Sequence, residues 1–145
     1  MTTAARIMVQ PELLVPAGNW EKLRVAVAYG ADAVYFGGHQ FSLRRRAGNF
    51  SLSDIFAAIS YCHERDVKAY LTLNLLPYNS DFTALAEFLK ELKSLPPDAL
   101  IVGDPGVISL CQKILPEVPL HLSTQANTLN WHTAKFWHDL GVSRV

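Results

Sequence analysis

The sequence predicts an α/β fold: five β-α units and the start of a sixth strand, arranged as part of a TIM-like (β/α) barrel or as a doubly wound sheet. Three observations predict it. Short runs of branched apolar residues recur along the 145 residues. Stretches with helical apolar spacing lie between them. Capping and breaking residues punctuate the joins. Near-continuous apolar strands of this kind suit a parallel sheet covered on both faces.

The elements follow in order. Leu13-Leu14-Val15 is the first strand. Asn19 caps a helix carrying Leu23, Ala26 and Val27 on one face, and Gly30 stops it. Ala33-Val34-Tyr35-Phe36 is the second strand, and Ser51-Leu52-Ser53-Asp54 resembles a capping box ahead of Ile55, Ile59 and Cys62. Ala69 to Leu73 forms the third strand. Ser80 or Asp81 opens the next helix, with Leu85, Phe88, Leu89 and Leu92 as its stripe, until Pro96-Pro97 ends it. Ala99 to Val102 is the fourth strand; Asp104-Pro105 is a cap with proline at the first helical position, followed by Val107, Leu110, Cys111 and Ile114. Leu120-His121-Leu122 is the fifth strand, Asn130 opens the fifth helix, and Val142 to Val145 begins a sixth strand. Gly30-Ala31-Asp32-Ala33-Val34 echoes Pro97-Asp98-Ala99-Leu100-Ile101, an acidic residue just ahead of a buried strand in each.

Composition narrows the function. Lys+Arg and Asp+Glu both number 13, so any RNA or membrane binding needs a local patch. Half the residues are hydrophobic, enough for a core. Cys62 and Cys111 alone make neither a disulfide framework nor a four-cysteine metal site. No apolar run is long enough for a membrane span and the first residues lack a secretory pattern, so a soluble cytoplasmic protein is expected. A full barrel takes about 250 residues. The expectation is therefore a flexible N-terminus at 1–10 and, over 11–145, the N-terminal part of a barrel domain of a longer protein. Its open sheet edges would be available for self-association.

In either architecture, ligands bind beyond the carboxyl ends of the strands. The loop from Gly37 to Phe50 puts Arg44, Arg45 and Arg46 between Phe41 and Phe50. The arginines could fork onto phosphate or carboxylate beside rings that stack on a base; equally, they could be a solvated cluster paired with helix carboxylates. Gly37-Gly38 lacks dinucleotide-loop spacing and reads as backbone permissiveness at the strand-loop junction. His121, Ser123 and Gln125 alternate on the fifth strand, as Thr72 and Asn74 do on the third, so each set shares a face. Arg44, Arg46, Asn74, Ser123, Gln125 and Asn127 are the candidate substrate-binding residues. His121 reads as a hydrogen-bonded interior histidine, with a catalytic base as the alternative. His63 and Glu64 read as solvated, Cys62 and Cys111 as core residues, and Asp104 as a cap. Glu12 and Asp104 are acid-base candidates by position only, the cap being the stronger reading of Asp104; no catalytic residue and no metal ligand is assigned.

Pro11 to Asn19, Tyr29 to Tyr35, Phe41 to Arg44, Leu73-Asn74, Asp98 to Val102 with Asp104-Pro105-Gly106, and His121 to Asn127 together resemble the N-terminal region of peptidase family U32. The resemblance runs from Pro11 to the end of the chain. It implies a TIM-like barrel and hydroxylation of a tRNA wobble uridine, a ribosomal RNA cytidine or a ubiquinone precursor, with collagenase-like proteolysis, the activity in the family's label, as the alternative. For the RNA-modifying branch it implies prephenate as a required metabolite and an iron–sulfur cluster. Asn130-Trp131 with Ala134-Lys135-Phe136-Trp137 is most similar to the tRNA-hydroxylation branch. The family's cysteine signature lies further towards the C-terminus, outside this chain, so a cluster would have its ligands there. On this reading Arg44 and Arg46 would hold an RNA phosphate or the acidic cosubstrate, and the amides would shape the pocket.

Overall fold

The computed structural model describes residues 10–39, 41–42 and 50–145. Five parallel strands lie side by side in chain order: β1 (Leu14–Pro16), β2 (Ala33–Gly37), β3 (Lys68–Leu73), β4 (Ala99–Val102) and β5 (Leu120–Leu122). A doubly wound sheet reverses its strand order at a switch point. The unbroken order here is that of a (β/α) barrel wall. Helices α1 (Trp20–Ala28), α2 (Leu52–His63), α3 (Asp81–Glu91), α4 (Pro105–Ile114) and α5 (Trp131–Asp139) each follow a strand. The sixth strand is under way: Arg144 bridges His121, and Leu122 N–H donates to the Arg144 carbonyl at 2.8 Å.

Local chemistry sets the ends. Asn19, Asp104 and Asn130 each accept the N–H three residues on, at 2.9–3.0 Å, and Ser51 with Asp54 completes a capping box. Ser80 precedes α3 without a side-chain cap; Asp81 instead accepts from Tyr78 N–H at 2.7 Å. The two echoed aspartates have one job. Asp32 accepts from Leu13 N–H at 2.7 Å, and Asp98 from Ala69 N–H at 2.8 Å. Each carboxylate ahead of a strand ties down the start of the neighbouring strand.

The sheet has two unlike faces. Val34, Phe36, Leu71, Leu73, Leu100 and Val102 point to the helices and meet Leu23, Ile55, Ile59, Leu85, Leu89 and Val107 in the main core. Each such side chain contributes about 1.5–3 kcal/mol on burial. The other face carries only the small cluster Ala33, Tyr70 and Ala99, with Tyr35 and Ile101 against it. That face is the concave wall of the barrel, where polar side chains collect.

Two local readings change. His63 does not simply face solvent: its Nε2 lies 2.9 Å from Asp98 Oδ2. Gln125 is not on β5, because the strand ends at Leu122 and Thr124–Ala126 turns into a short 3-10 helix.

Candidate substrate site on the concave face

A cavity of about 300 Å³ opens at the carboxyl ends of the strands. Its polar lining comes from Ser42, Thr72, Asn74, Ser123 and Thr124; Leu14, Pro16, Ile101 and Leu122 supply the apolar part, and Tyr35 adds a phenol ring. Among the described residues this lining holds hydroxyls and an amide, with no carboxylate, imidazole or ammonium. Thr72 is buried and donates its hydroxyl to the Phe36 carbonyl at 3.1 Å. Gly37 makes the wall possible for a reason other than backbone freedom. A Cβ there would lie 2.5 Å from Thr72 Oγ1 and 2.7 Å from Ser42 Cβ, so only glycine leaves room for both.

The candidate residues divide. Asn74 and Ser123 line this cavity together. Asn127 lines a second cavity of about 290 Å³ that shares Leu122, Ser123 and Thr124 with the first. Gln125 is exposed and lies against Gly103, where a Cβ would sit 3.3 Å from its Oε1. Arg44 and Arg46 lie outside the described residues, as do residues 1–9. Ser42 and Tyr35 belong to the lining but escaped the sequence reading. For Tyr35 the signal was register, since it pairs Tyr70 two residues before Gly37 pairs Thr72, on the same face.

Among the described residues, the charged groups of this face gather at its amino end. Glu12 accepts from Arg144 at 2.6 Å, from the Tyr70 hydroxyl at 2.8 Å and from Lys68 at 3.3 Å. These donors, Arg144 above all, pull its carboxyl down to about 2 against the opposing effect of burial. A carboxylate so firmly ionised is a poor proton acceptor, and it sits at the far end of the strands from the cavity. Burial, then the bond to Glu12, raises Tyr70 to about 12. His121 packs edge-on against the Tyr70 ring, centroids 4.8 Å apart. Burial and the Arg144 charge push it down to about 4, so it is neutral at pH 7. Ring packing holds it, and among the described residues its imidazole has no hydrogen bond of the kind expected from the sequence. Asp104 is spent on its cap. Cys62 and Cys111 are buried on separate helices, their thiols pushed up by desolvation to about 11 and 12. Neither suits cluster ligation, and no group of three potential metal-ligating residues occurs among the described residues. No described helix is long and apolar enough to cross a membrane.

Parallel strands in sequential order, helices on one face and a polar cavity at the carboxyl ends define part of a (β/α) barrel. The solved U32 peptidase Mk0906 shares this fold, with a TM-score of 0.74 at 12% identity over 98% of this chain and 60% of that one. The YdjI aldolase of Escherichia coli shares it with a TM-score of 0.62 at 16% identity, over 87% of this chain and 48% of that one. The sequence profile of peptidase family U32 matches residues 18–145, and the chain belongs to that family. Among its relatives, the tRNA hydroxylation protein P of Helicobacter pylori is 52% identical over 139 residues, 95% of this chain and 33% of that protein. The protein of the same name in Escherichia coli is 44% identical over 95% of this chain and 30% of its own length. The 23S rRNA 5-hydroxycytidine synthase of Escherichia coli is 36% identical over 92% of this chain and 20% of its own. This chain thus spans about a third of the length of the tRNA-hydroxylating relatives.

Proposed function

We propose that this chain is the N-terminal part of a cytoplasmic RNA hydroxylase that modifies a wobble uridine in tRNA. One observation carries the reading: 52% identity to a tRNA hydroxylation protein along 95% of the chain. The concave-face cavity supports it. Hydroxyls and an amide, with no charged group in the described lining, suit an uncharged ring whose edge offers donors and acceptors, such as a pyrimidine base taken out of its stack. Trp131, exposed and stacked on His132 with centroids 3.7 Å apart, offers a ring surface at the start of α5.

The chain's own residues bind and orient in this scheme. Asn74 and Ser123 would address the base edge, and Arg44 and Arg46, on the loop after β2, would neutralise an RNA phosphate or a prephenate-derived carboxylate. An iron–sulfur cluster would supply redox chemistry from cysteines outside this chain, since Cys62 and Cys111 do not fit one. Proteolysis, which the family name carries, finds no support in these two thiols, because both are buried and held protonated at neutral pH. The test is complementation. The full-length protein, expressed in a host lacking 5-hydroxyuridine in its tRNA, should restore that nucleoside by mass spectrometry; tRNA that stays unmodified overturns the reading.

A further inference from the structure

We infer that Thr72 determines base specificity in the concave-face cavity: its hydroxyl oxygen accepts the N3–H of the target uridine and so selects uridine over cytidine. The inference rests on the RNA reading above and goes on to assign the base preference. The first step is what the hydroxyl can still do. Thr72 lies on β3, the middle strand of the five, with β2 and β4 paired along its two sides. The residue is 8% exposed and borders the cavity. Its proton goes to the Phe36 carbonyl at 3.1 Å. A hydroxyl has one donor and two acceptor lone pairs, so an oxygen whose proton is spent meets a ligand as an acceptor. Turning the proton into the cavity would break that buried bond, so the fold sets the polarity.

The second step is access. Gly37 pairs Thr72 on β2, and a Cβ there would lie 2.5 Å from Thr72 Oγ1, so the missing side chain leaves the oxygen uncovered on that side. On the other side, Ile101 pairs Thr72 from β4 and lines the same cavity as an apolar floor. Beyond it, Ser123 follows β5. Two strand spacings separate β3 from β5, roughly 9–10 Å, which admits one ring with a hydrogen bond at either edge. The third step is the base. Enzymes that take a base out of its stack read its pairing edge by hydrogen bonds. Uracil presents N3–H between two carbonyl oxygens, whereas cytosine presents a bare nitrogen at the same ring position. A fixed acceptor attracts the first and repels the lone pair of the second. No carboxylate, imidazole or ammonium in the described lining competes with that choice.

The experiment uses the full-length protein in a host lacking 5-hydroxyuridine, with reporter tRNAs that carry uridine or cytidine at the target position. The hydroxylated nucleoside is read by mass spectrometry. The wild type should modify uridine well above cytidine. Thr72→Val keeps the shape and removes the acceptor; it should lower the uridine-to-cytidine ratio by about five- to tenfold, the worth of one neutral hydrogen bond. Thr72→Ala removes the same oxygen with less bulk and should lower the ratio alike. Thr72→Ser restores a hydroxyl and should keep the wild-type ratio.

Three results overturn the assignment: a wild type that modifies cytidine as readily as uridine, a folded Thr72→Val or Thr72→Ala protein that keeps the wild-type ratio even if slower on both reporters, or a folded Thr72→Ser protein that loses it. Each leaves the uridine-hydroxylase reading standing. A wild-type protein that modifies no uridine reporter overturns that reading and this one together. Thermal unfolding identifies which variants fold, and the wild-type comparison needs none of them.

Discussion

The two ends of the concave face use the same strands to opposite purposes. At the amino end, Glu12, Lys68, Tyr70 and Arg144 consume one another's hydrogen-bonding capacity, and Glu12 stays ionised down to about pH 2. At the carboxyl end, Thr72, Asn74 and Ser123 are neutral and border an open cavity. The steps between them are short: Tyr70 to Thr72 on β3 and Asn74 just past its end, and His121 on β5 to Ser123 just past its end. Charge placed where it is fully paired holds the wall together, whereas neutral polarity placed at the mouth can exchange water for ligand at little desolvation cost. Among the described residues, charge paired at the floor and neutral polarity at the rim make a division that mutation can probe from either side.

The largest effect is expected at the floor. The carboxyl of Glu12 lies at about 2 in the folded protein against an ordinary 4.5, so its stabilising contribution is complete above about pH 4.5 and is lost as the pH falls towards 2. The depression corresponds to on the order of 3 kcal/mol. Glu12→Gln, which keeps an acceptor for Tyr70 but removes the charge, should destabilise the full-length protein by an amount of that order at pH 7. Between pH 4.5 and 3, denaturant midpoints of the wild type should fall towards those of the variant. Parallel midpoints across that window would mean that the clasp carries no net stability.

A smaller loss is expected at the mouth. Gly37→Ala would drive a methyl against Thr72 Oγ1 and Ser42 Cβ, and overpacking of this kind costs about 1–3 kcal/mol. It should also disturb the hydroxyls that line the cavity, so RNA modification should fall further than stability does. Gly37→Ala combined with Thr72→Ala relieves the nearest contact and should recover part of the stability, as unfolding midpoints would show.

Legibility in the sequence followed the range of the interaction. Caps and strands were readable because each depends on neighbours in the chain: Asn19, Ser51, Asp104 and Asn130 act within three residues of themselves. Asn74 and Ser123 could be placed on one face by strand periodicity, and the cavity joins them. Gln125 broke that periodicity because β5 stops at Leu122, and the left-handed Asn127 that closes the turn leaves no hydrophobic signature. The Glu12–Arg144 bond spans 132 positions, a pairing that only the curvature of the sheet creates. Its one faint trace is that each charged residue falls near the start of an inward-facing run, Glu12 before the first strand and Arg144 in the sixth.

The smallest effect sharpens the account of the floor. Three side chains donate to Glu12, yet they are not equals. Arg144 approaches to 2.6 Å and Tyr70 is buried, whereas Lys68 stands 3.3 Å away with more than half of its side chain in solvent. An ion pair so exposed is worth about 0.2–1 kcal/mol, because water screens the attraction and a flexible ammonium loses entropy when it is held. Lys68→Met keeps the stem and removes the charge. Its denaturant midpoint at pH 7 should move by no more than that amount, and by still less in high salt. Arg144→Met should cost several times more and should share most of its cost with Glu12→Gln in a double-mutant cycle. Equal costs for the two cations would show that net positive charge around Glu12, rather than the short Arg144 bond, holds the amino end.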